Sequence, residues 1–154
     1  MNILKTCAFC VFLIACGISS SAQGKVPINE PDYNKPHLFA DLPDKMPVKV
    51  SNLETLLDLE PGDPVNVAIS TNFHIIGSVI SKSSERDLNV KSIVIKSINR
   101  KGAIFTYTKT VKEDGTVKYL GRIISTKNSD AYVIEKEEDQ YILKKKNLYD
   151  LISE

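Results

Sequence analysis

From residue 65 to residue 145 the chain alternates apolar and polar side chains with a period of two. Val65, Val67 and Ile69 interleave with Asn66, Ala68 and Ser70. Residues 73–81 are rich in β-branched side chains, with Gly77 as a candidate bulge. Over 90–98, Lys91, Ile93, Ile95 and Ser97 share one face and Val90, Ser92, Val94, Lys96 and Ile98 the other. Residues 103–111, 117–125, 131–136 and 140–145 continue the pattern. Period two places successive side chains on opposite faces of a strand, and the β-branched and aromatic content suits a pleated, half-buried surface. Between these runs stand Asn99-Arg100-Lys101-Gly102, Glu113-Asp114-Gly115, Lys127-Asn128-Ser129-Asp130 and Glu137-Glu138-Asp139. Asp-Gly between alternating runs is a hairpin signal, because tight turns demand positive φ. Connections this short make neighbouring strands antiparallel. The expected fold is mainly β: a single antiparallel meander of about seven strands forming a small barrel or curved sheet, with a two-sheet sandwich as the alternative.

The period changes before and after the meander. Leu53, Leu56 and Leu57 fall at helical spacing, and Pro61-Gly62 ends the run. This predicts a short helix over 52–59. Ser51 and Glu54 have the spacing of a capping box. Leu148, Leu151 and Ile152 predict a second short helix over 147–152. All seven prolines lie between Pro27 and Pro64. Proline lacks a backbone donor and is poor in sheet interiors, so 23–47 reads as a Pro-rich extended arm and 48–154 as the β-rich domain. The arm still carries Tyr33, Leu38, Phe39, Leu42 and Met46. From about Tyr33 it is expected to lie on the domain, with Leu38 and Phe39 as anchors.

The first residues follow neither period. Lys5 precedes an apolar run from Cys7 to Cys16, then small and polar residues to Ala22. A charged start, a short apolar centre and a small-residue exit make a secretory signal peptide over 1–22, cut after Ala22. The run is too short for a transmembrane helix, which needs about 20 apolar residues. Leu13-Ile14-Ala15-Cys16 also resembles the lipobox of bacterial lipoproteins. That resemblance implies a leader of 1–15, a lipid on Cys16 and an outer-membrane lipoprotein. Free export to the periplasm or the medium is the first expectation.

Composition then narrows the chemistry. The three cysteines, Cys7, Cys10 and Cys16, all lie in the leader, so the remaining chain has no disulfide, no thiol nucleophile and no cysteine metal site. Without Lys5 the basic and acidic residues balance, which argues against nucleic acid as a partner. No nucleophile elbow, zinc-helix motif or glycine-rich phosphate loop occurs. His37 and His74 have no partner in a known pattern and read as surface residues. The acid groups Asp41/Asp44, Asp58/Glu60 and Glu135/Glu137/Glu138 sit where carboxylates are usually solvated, and a glycoside-hydrolase pair is not expected among them. Lys144, Lys145 and Lys146 read as lysines guarding an edge strand. Tyr107, Tyr119, Tyr132 and Tyr141 fall on neighbouring strands and can line one face. With Leu38 and Phe39 they are the candidate partner contacts.

The function expected is therefore not enzymatic. It is an exported binding or accessory module of the bacterial cell envelope, with a protein partner and no cofactor or metal, meeting the membrane only through a lipid on Cys16. The alternatives are an inhibitor of a secreted or envelope enzyme, using the arm or the hairpin at 112–116, and a small hydrolase using acids that the sequence does not pair.

Overall fold

The computed structural model describes residues 34–83 and 89–152. The expected leader, Cys16 and the arm before Asn34 lie outside the described residues. The alternating runs form strands: β2 (Pro64–Ser70), β3 (Phe73–Lys82), β4 (Val90–Ser97), β5 (Ile104–Val111), β6 (Val117–Ile124), β7 (Asp130–Glu137) and β8 (Gln140–Asn147). A short β1 (Lys45–Pro47) precedes them. Helix α1 (Val50–Glu54) continues as a 3₁₀ turn, Thr55–Asp58, and α2 (Leu148–Ile152) follows β8. All eight strands form one antiparallel sheet in the order β1-β8-β7-β6-β5-β4-β3-β2. It is curled into a half-barrel.

Two backbone bonds link the edges of the curl. Val48 N–H donates to Tyr141 O of β8, and Lys49 N–H donates to Ile69 O of β2, each at 2.9 Å. One residue step thus spans from one side of the curl to the other. A bulge helps, because Ile69 has no pairing partner between Ala68↔His74 and Ser70↔Phe73. The carbonyls of Ala68 and Ile69 are then both taken from the same segment, by Asn52 Nδ2 and Lys49 N. α1 and its 3₁₀ extension press Leu53, Leu56 and Leu57 into the concave face.

The alternation read from sequence is the alternation that packs. One concave row runs Ile93, Tyr107, Gly121, Ile134, Leu143, Met46 across six strands in register. The next runs Ile95, Phe105, Ile123, Tyr132, Lys145. Lys145 is tolerated there because its amine reaches Leu42 O at 2.6 Å and Asp44 at 3.4 Å, leaving its stem on the core.

Several local expectations are corrected. The Ser51/Glu54 capping box does not form: the helix starts at Val50 with no side-chain cap, and Glu54 is bonded elsewhere. Gly77 is not a bulge. It pairs with Val65 and Ser97, and the β3 bulge falls at Ile80, between Val79↔Ile95 and Ser81↔Val94. β8 is not an edge strand, since β1 pairs outside it, so Lys144 and Lys146 serve ion pairs with Glu135 and Glu137. Residues 34–47, read as arm, are built into the domain: β1 joins the sheet and Phe39 is fully buried. Among the described residues no helix is long and apolar enough to cross a membrane.

Candidate functional site at the open end of the sheet

At the end of the curl nearest α1, side chains from three distant segments meet. Glu54 of α1 accepts from Lys109 Nζ of β5 at 2.5 Å and from Tyr119 Oη of β6 at 2.7 Å, both on Oε1. Tyr119 stacks on Tyr107 with ring centres 6.0 Å apart and planes 6° off parallel, and Tyr141 meets it edge-on at 5.2 Å. Tyr107 is fully buried, and its hydroxyl has no hydrogen-bond partner among the described residues. A cleft of about 480 Å³ opens beside the cluster, lined among others by Ser51, Glu54, Asp58, Lys91 and Lys109.

The electrostatics are those of a fixed ion pair. Bonds from Lys109 and Tyr119 hold the Glu54 carboxyl below its ordinary value of 4.5. Burial, then the Glu54 carboxylate, pushes the Tyr119 hydroxyl up to about 12. Burial raises Tyr107 as well. A general acid at neutral pH needs the opposite shift, a raised carboxyl. Because the folded-state value is depressed, the stability from Glu54 is complete above pH 4.5 and is lost as pH falls through the lower folded value. Glu54 is 39% exposed, so solvent screening limits this contribution to about 1 kcal/mol at most. Urea midpoints of the wild type and Glu54→Gln, measured against pH, should differ by a constant amount above pH 4.5 and converge below it. Parallel curves down to the acid limit would show that the carboxylate does no such work.

The second feature here is a fork in the sheet. β5 and β6 pair over eight residues, and β7 and β8 over eight, but β6 and β7 pair only at Gly121↔Ile134, Arg122↔Val133 and Ile123↔Tyr132. Toward the open end, residues 117–120 of β6 and 135–137 of β7 have no ladder partner across this gap. Tyr141 reaches from β8 into the gap, where its hydroxyl accepts from Tyr119 N–H at 3.3 Å. Val117 and Leu120 beside the gap are 37% and 46% exposed. On the convex face a second groove of about 460 Å³ runs from Leu120 at the base of the fork over the paired stretch of β6 and β7 to α2, with Leu120, Val133 and Leu151 in its walls.

The opposite end of the sheet is structural. Asp130 is buried, and its carboxylate accepts from Leu38 N–H at 2.6 Å and Phe39 N–H at 2.8 Å. Arg100 holds Asp41 with both terminal nitrogens at 2.7 Å, donates to Leu38 O, and lies over the Phe39 and Phe73 rings. His37 sits at this end, 3.7 Å from Asp130 and 66% exposed. Its proximity to Asp130 has no signal in sequence, because 92 residues separate Asp130 from Leu38, the residue next to His37.

The residues singled out from sequence therefore separate into two groups. Phe39, Tyr107 and Tyr132 are fully buried and belong to the core, with Tyr132 packed on Phe39 and Phe73 and bonded to Pro43 O. Leu38 is half-buried under Arg100. Tyr119 and Tyr141 are half-buried at the open end, beside the fork. Among the described residues no three His, Cys, Asp or Glu side chains gather as metal ligands. His74 faces solvent on β3. Sequence reasoning missed Glu54 and Lys109, and the only trace of them was a Ser-x-x-Glu spacing that suggested a cap. Fold and site together define a small half-barrel whose polar end is forked. Family models, curated proteins and solved structures give no match to the chain.

Proposed function

We propose that this protein is an exported, non-enzymatic binding module of the bacterial cell envelope that holds a protein partner at the forked end of its sheet. The observation that carries the reading is the β6–β7 ladder, which stops after three residue pairs and leaves two neighbouring strand ends without ladder partners across the gap, beside exposed Val117 and Leu120. Unpaired strand edges are templates for another chain, and folded proteins normally cover or charge them. The ionisable cluster next to the fork supports binding over catalysis, since Glu54 is already bonded to Lys109 and Tyr119 and carries a lowered pKa. The export half of the reading rests on the pattern of residues 1–22.

One experiment tests both halves. A photo-crosslinking residue is placed at Leu120 and, as a control, at Ile80, which is comparably exposed on another part of the convex face. Crosslinking is carried out in the native cells. The expected result is a discrete protein adduct from Leu120 and none from Ile80, on a chain whose intact mass starts at Gln23 or at lipidated Cys16. Equal labelling from both positions, or no adduct from either, removes the binding reading. An uncleaved chain beginning at Met1 removes export.

A further inference from the structure

We infer that residues 117–120 of β6 receive an extended segment of the partner as an added antiparallel strand, and that this segment carries an acidic side chain opposite Lys118 and an apolar one opposite Leu120. The inference rests on the binding reading above and specifies its chemistry. In an antiparallel strand the N–H and C=O of one residue point to the same side, and the side alternates along the chain. Tyr119 N–H faces the gap, since the hydroxyl it meets is Tyr141's, from two strands away. Val117, two residues earlier, faces the gap as well. A side-chain hydroxyl at 3.3 Å thus stands where a strand's carbonyl would be a better acceptor. Backbone groups arranged this way select an extended peptide rather than a helix or a small molecule, with alternate side chains supplying the specificity.

The side-chain row at this edge sets that specificity. Lys118 and Leu120 stand on the convex face at the open edge, and Arg122 follows them where β6 is paired with Val133 of β7, while Tyr119, Gly121 and Ile123 point to the concave face. Lys118 and Arg122 are exposed and form no ion pair among the described residues. Leu120 lies between them and borders the groove lined by Thr108, Val133 and Leu151. A cross-strand acid therefore meets an uncompensated cation, and a cross-strand apolar residue meets Leu120 and the groove. A second copy of this chain fits less well, because it would bring the same cationic row against itself.

The test uses the whole mature protein and capped synthetic peptides of alternating sequence, with threonines on one face and Glu-Leu-Glu on the other. Binding is read by titration, and its place by amide NMR shifts and hydrogen-exchange protection. The expected result is protection of the Val117 and Tyr119 amides, loss of binding when the peptide's pairing amides are N-methylated, and affinity about fivefold weaker with Lys118→Glu. A Lys-Leu-Lys peptide should show the reverse preference for Lys118→Glu. Binding that survives N-methylation, or shifts confined to the concave cleft near Glu54, overturns strand addition. Protection that rises with protein concentration alone assigns the edge to a second copy and also overturns it. If Leu120 crosslinks a partner in cells while the peptides fail to protect the edge, strand addition fails and the binding reading stands. If the peptides protect the edge while cells give no Leu120 adduct, the edge chemistry stands and the envelope partner fails.

Discussion

Replacing Phe39 with alanine should destabilise the domain by about 4 kcal/mol, the middle of the range for a fully buried phenylalanine. At roughly 4 °C per kcal/mol for a domain of this size, the melting temperature falls by about 15 °C. Phe39 belongs to a proline-rich stretch that by composition alone would pass for a tether. In the fold it is fully buried, 4.9 Å from the Tyr132 ring and 6.0 Å from Phe73. Its amide is held by the buried Asp130, and the Arg100 guanidinium lies over its ring. Truncation removes the ring from all of these at once and leaves a cavity that Arg100 and two aromatic rings cannot close without losing their own contacts. Leu38→Ala, at a half-buried position, should cost about 1 kcal/mol. Calorimetry or urea unfolding checks both. Equal small effects at the two positions would mean that the arm only rests on the domain.

Gly77→Ala should cost about 3 kcal/mol, whereas Gly121→Ala should cost about 1 kcal/mol, although both glycines sit inside strands. An added Cβ at Gly77 would lie 2.1 Å from the Lys96 carbonyl oxygen, on the backbone of the neighbouring strand. Relief requires β3 and β4 to move apart, and that breaks their ladder. At Gly121 the first obstacle is Ile134 Cδ1 at 2.6 Å, the end of a side chain that can change rotamer. Thermal unfolding of the two variants side by side is the measurement. If Gly121→Ala proves the more damaging, then Ile134 is locked in its rotamer and the Lys96 carbonyl yields more easily than the geometry implies.

Several elements were legible from the chain alone because their causes are local. Strands β2 to β8 follow from period-two alternation, and each tight turn has its own chemistry, with positive φ at Gly102, Gly115 and Glu138. The two short helices follow from leucine spacing. A meander is also the topology for which sequence neighbours are spatial neighbours, so the order of β2 to β8 needed no long-range information, whereas the place of β1 beside β8 did. The site was not legible for the converse reason. Glu54 and Tyr119 are 65 residues apart, and Phe39 and Asp130 are 91 apart. Neither pair has a periodicity or a motif. The burial of Phe39, Tyr107 and Tyr132 had the same obscurity. A tyrosine at a strand position is equally consistent with a solvent face and a core face until the curl of the sheet selects one. The edge role expected of Lys144–Lys146 depended on where the sheet ends, and β1, three residues from the arm, moved that end outward.

By itself, then, the sequence determined seven of the eight strands, the two short helices and their order along the chain, because alternation, turn residues and helical spacing act within a few residues. It also determined that no cysteine follows Cys16, so the described fold holds without disulfides. Only the tertiary structure decided which face of each strand is core, that the proline-rich stretch supplies Phe39 to that core, and that β6 and β7 part company after three residue pairs. Those outcomes depend on how a twisted sheet curls and closes, which is settled by contacts between segments far apart in the chain.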